Sequence, residues 1–177
     1  MEVNDKTYTA LIMEADVISD NGTLYTPEAV KKAVERMKQE IEKGQMYGEL
    51  DHPYQNDFRI GFVSLERLAV QWVDVWMEGN KVYGKFRILP TPYGNLVKSL
   101  LENGINFGFS LRGSGKTKVG YRQQKRVEIV DDFFVTAVDV VAVPSFQSAR
   151  VLQESRFGTK HSLQILETVE KTLYRYL

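Results

Sequence analysis

Residues 105–144 read INFGFSLRGSGKTKVGYRQQKRVEIVDDFFVTAVDVVAVP, and their pattern decides the fold. Phe107, Phe109 and Leu111 alternate with small or polar residues, and an almost unbroken apolar run over 133–143 stops at Pro144. A period of two in β-branched and aromatic residues marks strands. Strands are therefore expected in direct succession at 105–112, 121–130 and 133–143. A flexible loop at Gly113-Ser114-Gly115-Lys116 separates the first two, and Asp131-Asp132 supplies turn chemistry before the third. No helical period intervenes, which argues against a doubly wound parallel sheet.

Working outward, the upstream sequence adds strands at 8–17, 46–50, 59–67, 70–77 and 81–88, with Glu78-Gly79-Asn80 as a hairpin turn. Thr26-Pro27 offers an N-cap followed by proline at the first helical position, and Val30, Ala33, Val34, Met37 and Ile41 share one face, so a helix is expected over 27–43. Thr91-Pro92 starts a second helix, with Leu96, Val97, Leu100 and Leu101 at helical spacing and Asn103-Gly104 as its stop. Leu166, Val169, Leu173 and Leu177 make the C-terminal stretch an amphipathic helix. The class is α+β: a mainly antiparallel β-barrel or strongly curved sheet with helices packed outside. Residues 1–158 form the domain, and 159–177 a terminal helix packed on it or on a partner.

The chain has 177 residues, enough for a self-sufficient core, and no cysteine, which excludes thiol nucleophiles, zinc fingers and iron–sulfur clusters. Its 23 basic and 23 acidic side chains cancel, so bulk charge draws it neither to nucleic acid nor to anionic membrane. The first residues lack the basic and apolar segments of a secretory signal, and no apolar run is long enough to span a bilayer. A cytosolic protein is expected.

Two histidines restrict any imidazole chemistry to His52 or His161. His52 lies in Gly48-Glu49-Leu50-Asp51-His52-Pro53, at a strand end where proline forces an extended exit. Such a site can present a general base, or simply hold a histidine bonded to the adjacent carboxylates. Ser110 shares a strand face with Gly108 and Arg112, opposite Phe107, Phe109 and Leu111. A serine hydroxyl becomes a useful nucleophile when a neighbouring base takes its proton. In isolation the same sequence is an ordinary strand serine before a glycine turn. Asp139 sits in an otherwise apolar strand, where an ionised carboxylate requires a partner. Orienting His52, capping a buried loop or pairing with Arg112 would each supply one.

Three other patterns are weak. Gly113-Ser114-Gly115-Lys116-Thr117 ends like a phosphate-binding loop, but Ser110 stands where that pattern needs glycine, and no long helix follows. Glu49, Asp51, His52 and Asp57 could ligate a divalent cation, yet their spacing matches no strong metal motif. Lys116, Lys118, Arg122, Lys125 and Arg126 surround Tyr121 in a basic stretch whose commoner meaning is a solvated hairpin.

The order of Gly48-Glu49-Leu50-Asp51-His52-Pro53, Phe109-Ser110-Leu111-Arg112-Gly113-Ser114-Gly115 and Val138-Asp139-Val140-Val141-Ala142-Val143-Pro144-Ser145 resembles the prohead (capsid maturation) proteases of tailed bacteriophages. These are serine peptidases related in fold to herpesvirus assembly proteases. The resemblance also takes in the opening strand and turn and Ile88-Leu89-Pro90-Thr91-Pro92-Tyr93-Gly94, and so covers roughly residues 8–150. It implies that His52 is the general base, Ser110 the nucleophile and Asp139 the third member, with Arg112 and Gly113 contacting the oxyanion or substrate. The chain departs from the family at Leu111, where a second small polar residue is common.

The resemblance further implies a serine endopeptidase that cleaves scaffold and capsid proteins, and itself, inside the assembling prohead in the host cytoplasm. No metal, cofactor, membrane or nucleic-acid partner is expected, and self-association is. The competing class is a noncatalytic capsid-assembly or scaffold protein.

Overall fold

The computed structural model describes residues 6–54 and 57–152. The expected terminal helix over 159–177 lies outside these residues. In chain order the elements are β1 (Tyr8–Glu14), β2 (Thr23–Tyr25), α1 (Pro27–Glu42), β3 (Tyr47–Glu49), β4 (Leu68–Glu78), β5 (Lys81–Ile88), α2 (Pro92–Glu102), β6 (Gly108–Arg122), β7 (Lys125–Val141) and β8 (Val151–Leu152). They form a five-stranded sheet in the order β3-β4-β5-β1-β8 and a three-stranded sheet in the order β2-β7-β6. All paired neighbours are antiparallel except β2 and β7.

The α+β class holds, but the barrel does not close. Among the described residues the ladders of the two sheets are linked by no more than single bridges, Leu50 to Val140 on one side and Gly108 to Arg150 on the other. Both seams fall where a strand has run out: β3 stops at Glu49 and β8 is two residues long.

The two helices begin where their caps predict. The Thr26 hydroxyl accepts the Ala29 N–H at 3.2 Å, the Thr91 hydroxyl accepts the Gly94 N–H at 3.0 Å, and proline opens each helix. The first buries Ala29, Val30, Ala33, Val34 and Met37 against β4 and β7. Arg36 fixes it to the distal part of β7 by bonding Asp132 Oδ1 at 2.7 Å and the Phe133 carbonyl at 2.9 Å.

Three expectations about strands and their turns fail. Residues 113–116 are not a loop but part of β6, whose turn to β7 falls at Gln123 and Gln124, both at positive φ. Glutamine seldom takes that conformation, so the true turn carries no sequence signal. The glycines serve the ladder instead: a Cβ on Gly113 would lie 2.0 Å from the Phe134 carbonyl oxygen. Asp131 is passed over in the register, with Lys116 opposite Asp132 and Thr117 opposite Val130. The expected turn there is a bulge within one continuous strand. Residues 59–67 form two short 3₁₀ turns, Phe58–Gly61 and Leu65–Arg67, because Asp57 caps the Arg59 N–H at 2.8 Å and starts a helical turn.

Trp72, Phe86 and Phe109 centre the core, with ring centroids 4.9–5.2 Å apart. The Trp72 indole N–H donates to the Val138 carbonyl at 3.0 Å, so this cluster joins the two sheets by a hydrogen bond as well as by packing. Phe109→Ala should lower the unfolding free energy by about 3–5 kcal/mol in urea titration; a loss below about 1 kcal/mol would contradict this placement.

Arg36 hydrogen bonding, together with its charge and those of Lys32 and Lys116, holds the Asp132 carboxyl below its usual pKa. A carboxyl whose folded pKa is depressed stabilises the fold above its unfolded pKa, near 3.9, and loses that contribution as pH falls through the folded value. Asp132→Asn should therefore melt earlier than the parent at pH 7, and the gap should close as the medium is acidified toward about pH 2. A gap that persists unchanged would contradict the assignment.

Candidate active site

Ser110 of β6 is the direct cross-strand partner of Asp139 of β7. Opposed residues of an antiparallel pair point to the same face, with Cβ atoms about 4.5–5.5 Å apart. Arg112, two residues on, uses that face as well. Hydroxyl, carboxylate and guanidinium therefore project together from the β6–β7 ribbon on the side opposite Phe109.

The chain leaving β3 brings the imidazole to them. A Cβ on Gly48 would lie 2.1 Å from the Val138 carbonyl oxygen, so glycine is what lets β3 close against β7. The Glu49 N–H then donates to Asp139 Oδ1 at 2.8 Å, Leu50 bridges Val140, and the Asp51 N–H reaches the Val140 carbonyl at 2.8 Å. Asp51 takes a left-handed conformation, φ +62, and turns the chain before Pro53. His52 Nδ1 thereby lies 2.7 Å from Asp139 Oδ2. With Nδ1–H donating to the carboxylate, Nε2 is left as the acceptor nitrogen. The imidazole is 33% exposed, whereas Asp139 is fully buried.

Arg112 is buried beneath this pair, and its five N–H donors meet five acceptors. Nε donates to Asp139 Oδ2 at 2.8 Å, and Nη2 lies 3.4 Å from Asp139 Oδ1 and 3.1 Å from Glu49 Oε1. Nη1 donates to the carbonyls of Arg59 and Phe62 at 3.0 and 2.8 Å. Burial pulls the Arg112 pKa down, but bonds and charges from Asp139 and Glu49 outweigh it and hold the group above its ordinary value. The guanidinium is a permanent cation with no donor to spare. Its side chain therefore has no donor left with which to contact an oxyanion or a substrate.

The structure thus brings His52, Ser110, Asp139 and Arg112 into one cluster. Ser110 is buried, with its Oγ 3.3 Å from Ser145 Oγ. Sequence reasoning missed Ser145, which a turn after Pro144 returns to β6; no local pattern announces that turn. It also missed the part of Glu49, although a carboxylate beside a strand glycine and an arginine in a second strand are a readable pair. The metal alternative does not assemble. Glu49 faces Arg112, Asp57 bonds Arg59, and among the described residues no three His, Asp or Glu side chains converge on a point that could hold an ion. The basic stretch lies on the β6–β7 ribbon, where Lys118 pairs with Asp131 and Arg122 with Asp16.

An imidazole bound to a carboxylate, with a serine across the ladder from that carboxylate, supplies the group types of a serine hydrolase. The chain belongs to the prohead core protein serine protease family, which matches residues 4–156. It is 31% identical over 139 residues to the prohead core protein protease of Enterobacteria phage T4, covering 75% of this chain and 60% of that protein. The chain thus spans about three fifths of the length of that relative. The solved structure of the bacteriophage T4 capsid assembly protease, gp21, superposes with a TM-score of 0.65 at 26% identity, covering 76% of this chain and 80% of that one.

Lysine in place of Arg112 keeps the charge but cannot serve acceptors on three sides. Arg112→Lys should melt earlier, losing about 1–3 kcal/mol. A variant of native melting temperature would contradict the buried role.

Proposed function

We propose that the chain is a serine endopeptidase that cleaves scaffold and capsid proteins during prohead maturation. The observation that carries this reading is Asp139, which binds the His52 ring at 2.7 Å while standing directly across the ladder from Ser110. In this reading His52 Nε2 takes the Ser110 proton as Oγ attacks a peptide carbonyl, and Asp139 stabilises the resulting imidazolium. The main-chain N–H of Gly113 binds the oxyanion, whereas alternation turns the Arg112 N–H into the ladder toward β7. Ser110 Oγ rests 3.3 Å from Ser145 Oγ and leaves that contact to meet the imidazole.

An extended substrate suits the outer edge of β6. The Phe109 N–H leaves that edge toward the Ala149 carbonyl at 2.8 Å, so alternation directs the N–H and C=O groups of Leu111, Gly113, Gly115 and Thr117 outward as well. Among the described residues none of these groups has a backbone partner on that side. A cavity of about 200 Å³ over Leu111, Gly113, Gly115 and Phe133 leaves room for a side chain of the added strand. Action inside the assembling head, in the host cytoplasm, and cleavage of further copies of the same chain complete the reading.

Purified protein incubated with scaffold or capsid protein should generate discrete fragments. Ser110→Ala should lower the rate by about three orders of magnitude or more, and the parent rate should rise with pH as an imidazole deprotonates. Fragments that form equally with Ser110→Ala would favour the noncatalytic assembly protein.

A further inference from the structure

Glu49 is fully buried, an expensive place for a carboxylate. Its Oε1 accepts the Ser64 N–H at 2.6 Å and lies 3.1 Å from Arg112 Nη2. Its Oε2 faces Arg67 Nε at 3.6 Å, and neither of those two atoms has a hydrogen-bond partner. A purely structural carboxylate would be expected to use both oxygens fully. The feature that distinguishes Glu49 is the cation it shares: Arg112 lies between it and Asp139, the carboxylate that holds His52.

We propose that Glu49 is a positioning residue that offsets the charge of Arg112, so that Asp139 keeps its full effect on the His52 imidazole. This inference rests on the protease reading above. Without Glu49, Arg112 presents a less compensated positive charge to the pair that must stabilise an imidazolium. His52 would then bind its proton less readily, and the carboxylate beneath it would be less firmly oriented. The charged groups around His52 are Asp139 on β7, Arg112 on β6, Glu49 on β3, Arg67 at the start of β4, the Asp57–Arg59 pair on the 3₁₀ turn, and its own neighbour Asp51. Arg67 also lies within ion-pair distance of Glu49, at 3.6 Å and without a hydrogen bond, so Glu49 offsets both cations and Arg112 is the one that also touches Asp139.

Glu49→Gln removes the charge and keeps the shape and an acceptor for Ser64. In the active protein kcat should fall about 10- to 100-fold with KM within about twofold, and the acid limb of the rate profile should move to lower pH. In the Ser110→Ala background, with His161→Gln leaving one imidazole to observe, the NMR titration of His52 should shift downward by about half a pH unit or more on adding Glu49→Gln. A folded Glu49→Gln protein with unchanged kcat and unchanged His52 titration would overturn the proposal. Should that variant fail to fold, Glu49→Asp, which withdraws the charge from Arg112 by one methylene, carries the test: a fall in kcat of about tenfold at native melting temperature supports it, and unchanged kcat overturns it. If the parent shows no Ser110-dependent hydrolysis, the protease reading fails on its own and the His52 titration still decides the role of Glu49.

Discussion

Arg112 is a cation placed where water cannot reach it, and a charge so placed is tolerated only when every donor is used and opposite charge is close. Its acceptors come from three separate parts of the chain: Asp139 on β7, Glu49 on β3, and the carbonyls of Arg59 and Phe62 in the turn that follows His52. Each of those groups in turn depends on the guanidinium, since two buried carboxylates this close would otherwise repel. The turn over residues 57–64 is otherwise tied down by the Ser64 N–H bond to Glu49 and packs little, for Phe58 and Phe62 are exposed. The cation thus both neutralises the centre and fastens the loop that roofs it.

The geometry of the reactive groups follows from this arrangement. Asp139 Oδ2 is shared by Arg112 and His52, while Oδ1 is held by the Glu49 N–H, so the carboxylate has little freedom to rotate. An imidazole bonded to a fixed carboxylate has a fixed ring plane and a fixed tautomer. Gly48 and the left-handed Asp51 complete the placement through the backbone, one by allowing contact with β7 and the other by turning the chain at its end. Ser110 needs no such apparatus. It is set by ladder register, and Phe109 anchors its strand in the core.

The sequence made the helices legible, because Thr26-Pro27 and Thr91-Pro92 act within one turn and need nothing from the rest of the chain. The hairpin at Gly79 was readable for the same reason. It misled at Gly113 and Gly115, where glycine answers to a carbonyl across the ladder and not to a turn, and at Gln123-Gln124, where the two long strands impose a turn that the residues do not favour. Residues 59–67 alternate like a strand, yet one side chain, Asp57, starts a helical turn there. In the site, Asp139 is marked by its apolar strand, His52 by the scarcity of histidine and Ser110 by its place on a strand face with Gly108 and Arg112. The demand for Arg112 could not be apportioned from sequence, since its acceptors include main-chain carbonyls whose direction is settled only by the folded turn.

The central claim is that Ser110 is a nucleophile activated by His52, and covalent trapping tests it most directly. A serine-directed phosphonate incubated with the native protein, followed by peptide mass spectrometry, should place one adduct on Ser110 and none on His52→Ala protein over the same period. An adduct on Ser145 instead, or labelling of Ser110 that proceeds equally without the imidazole, would contradict the account.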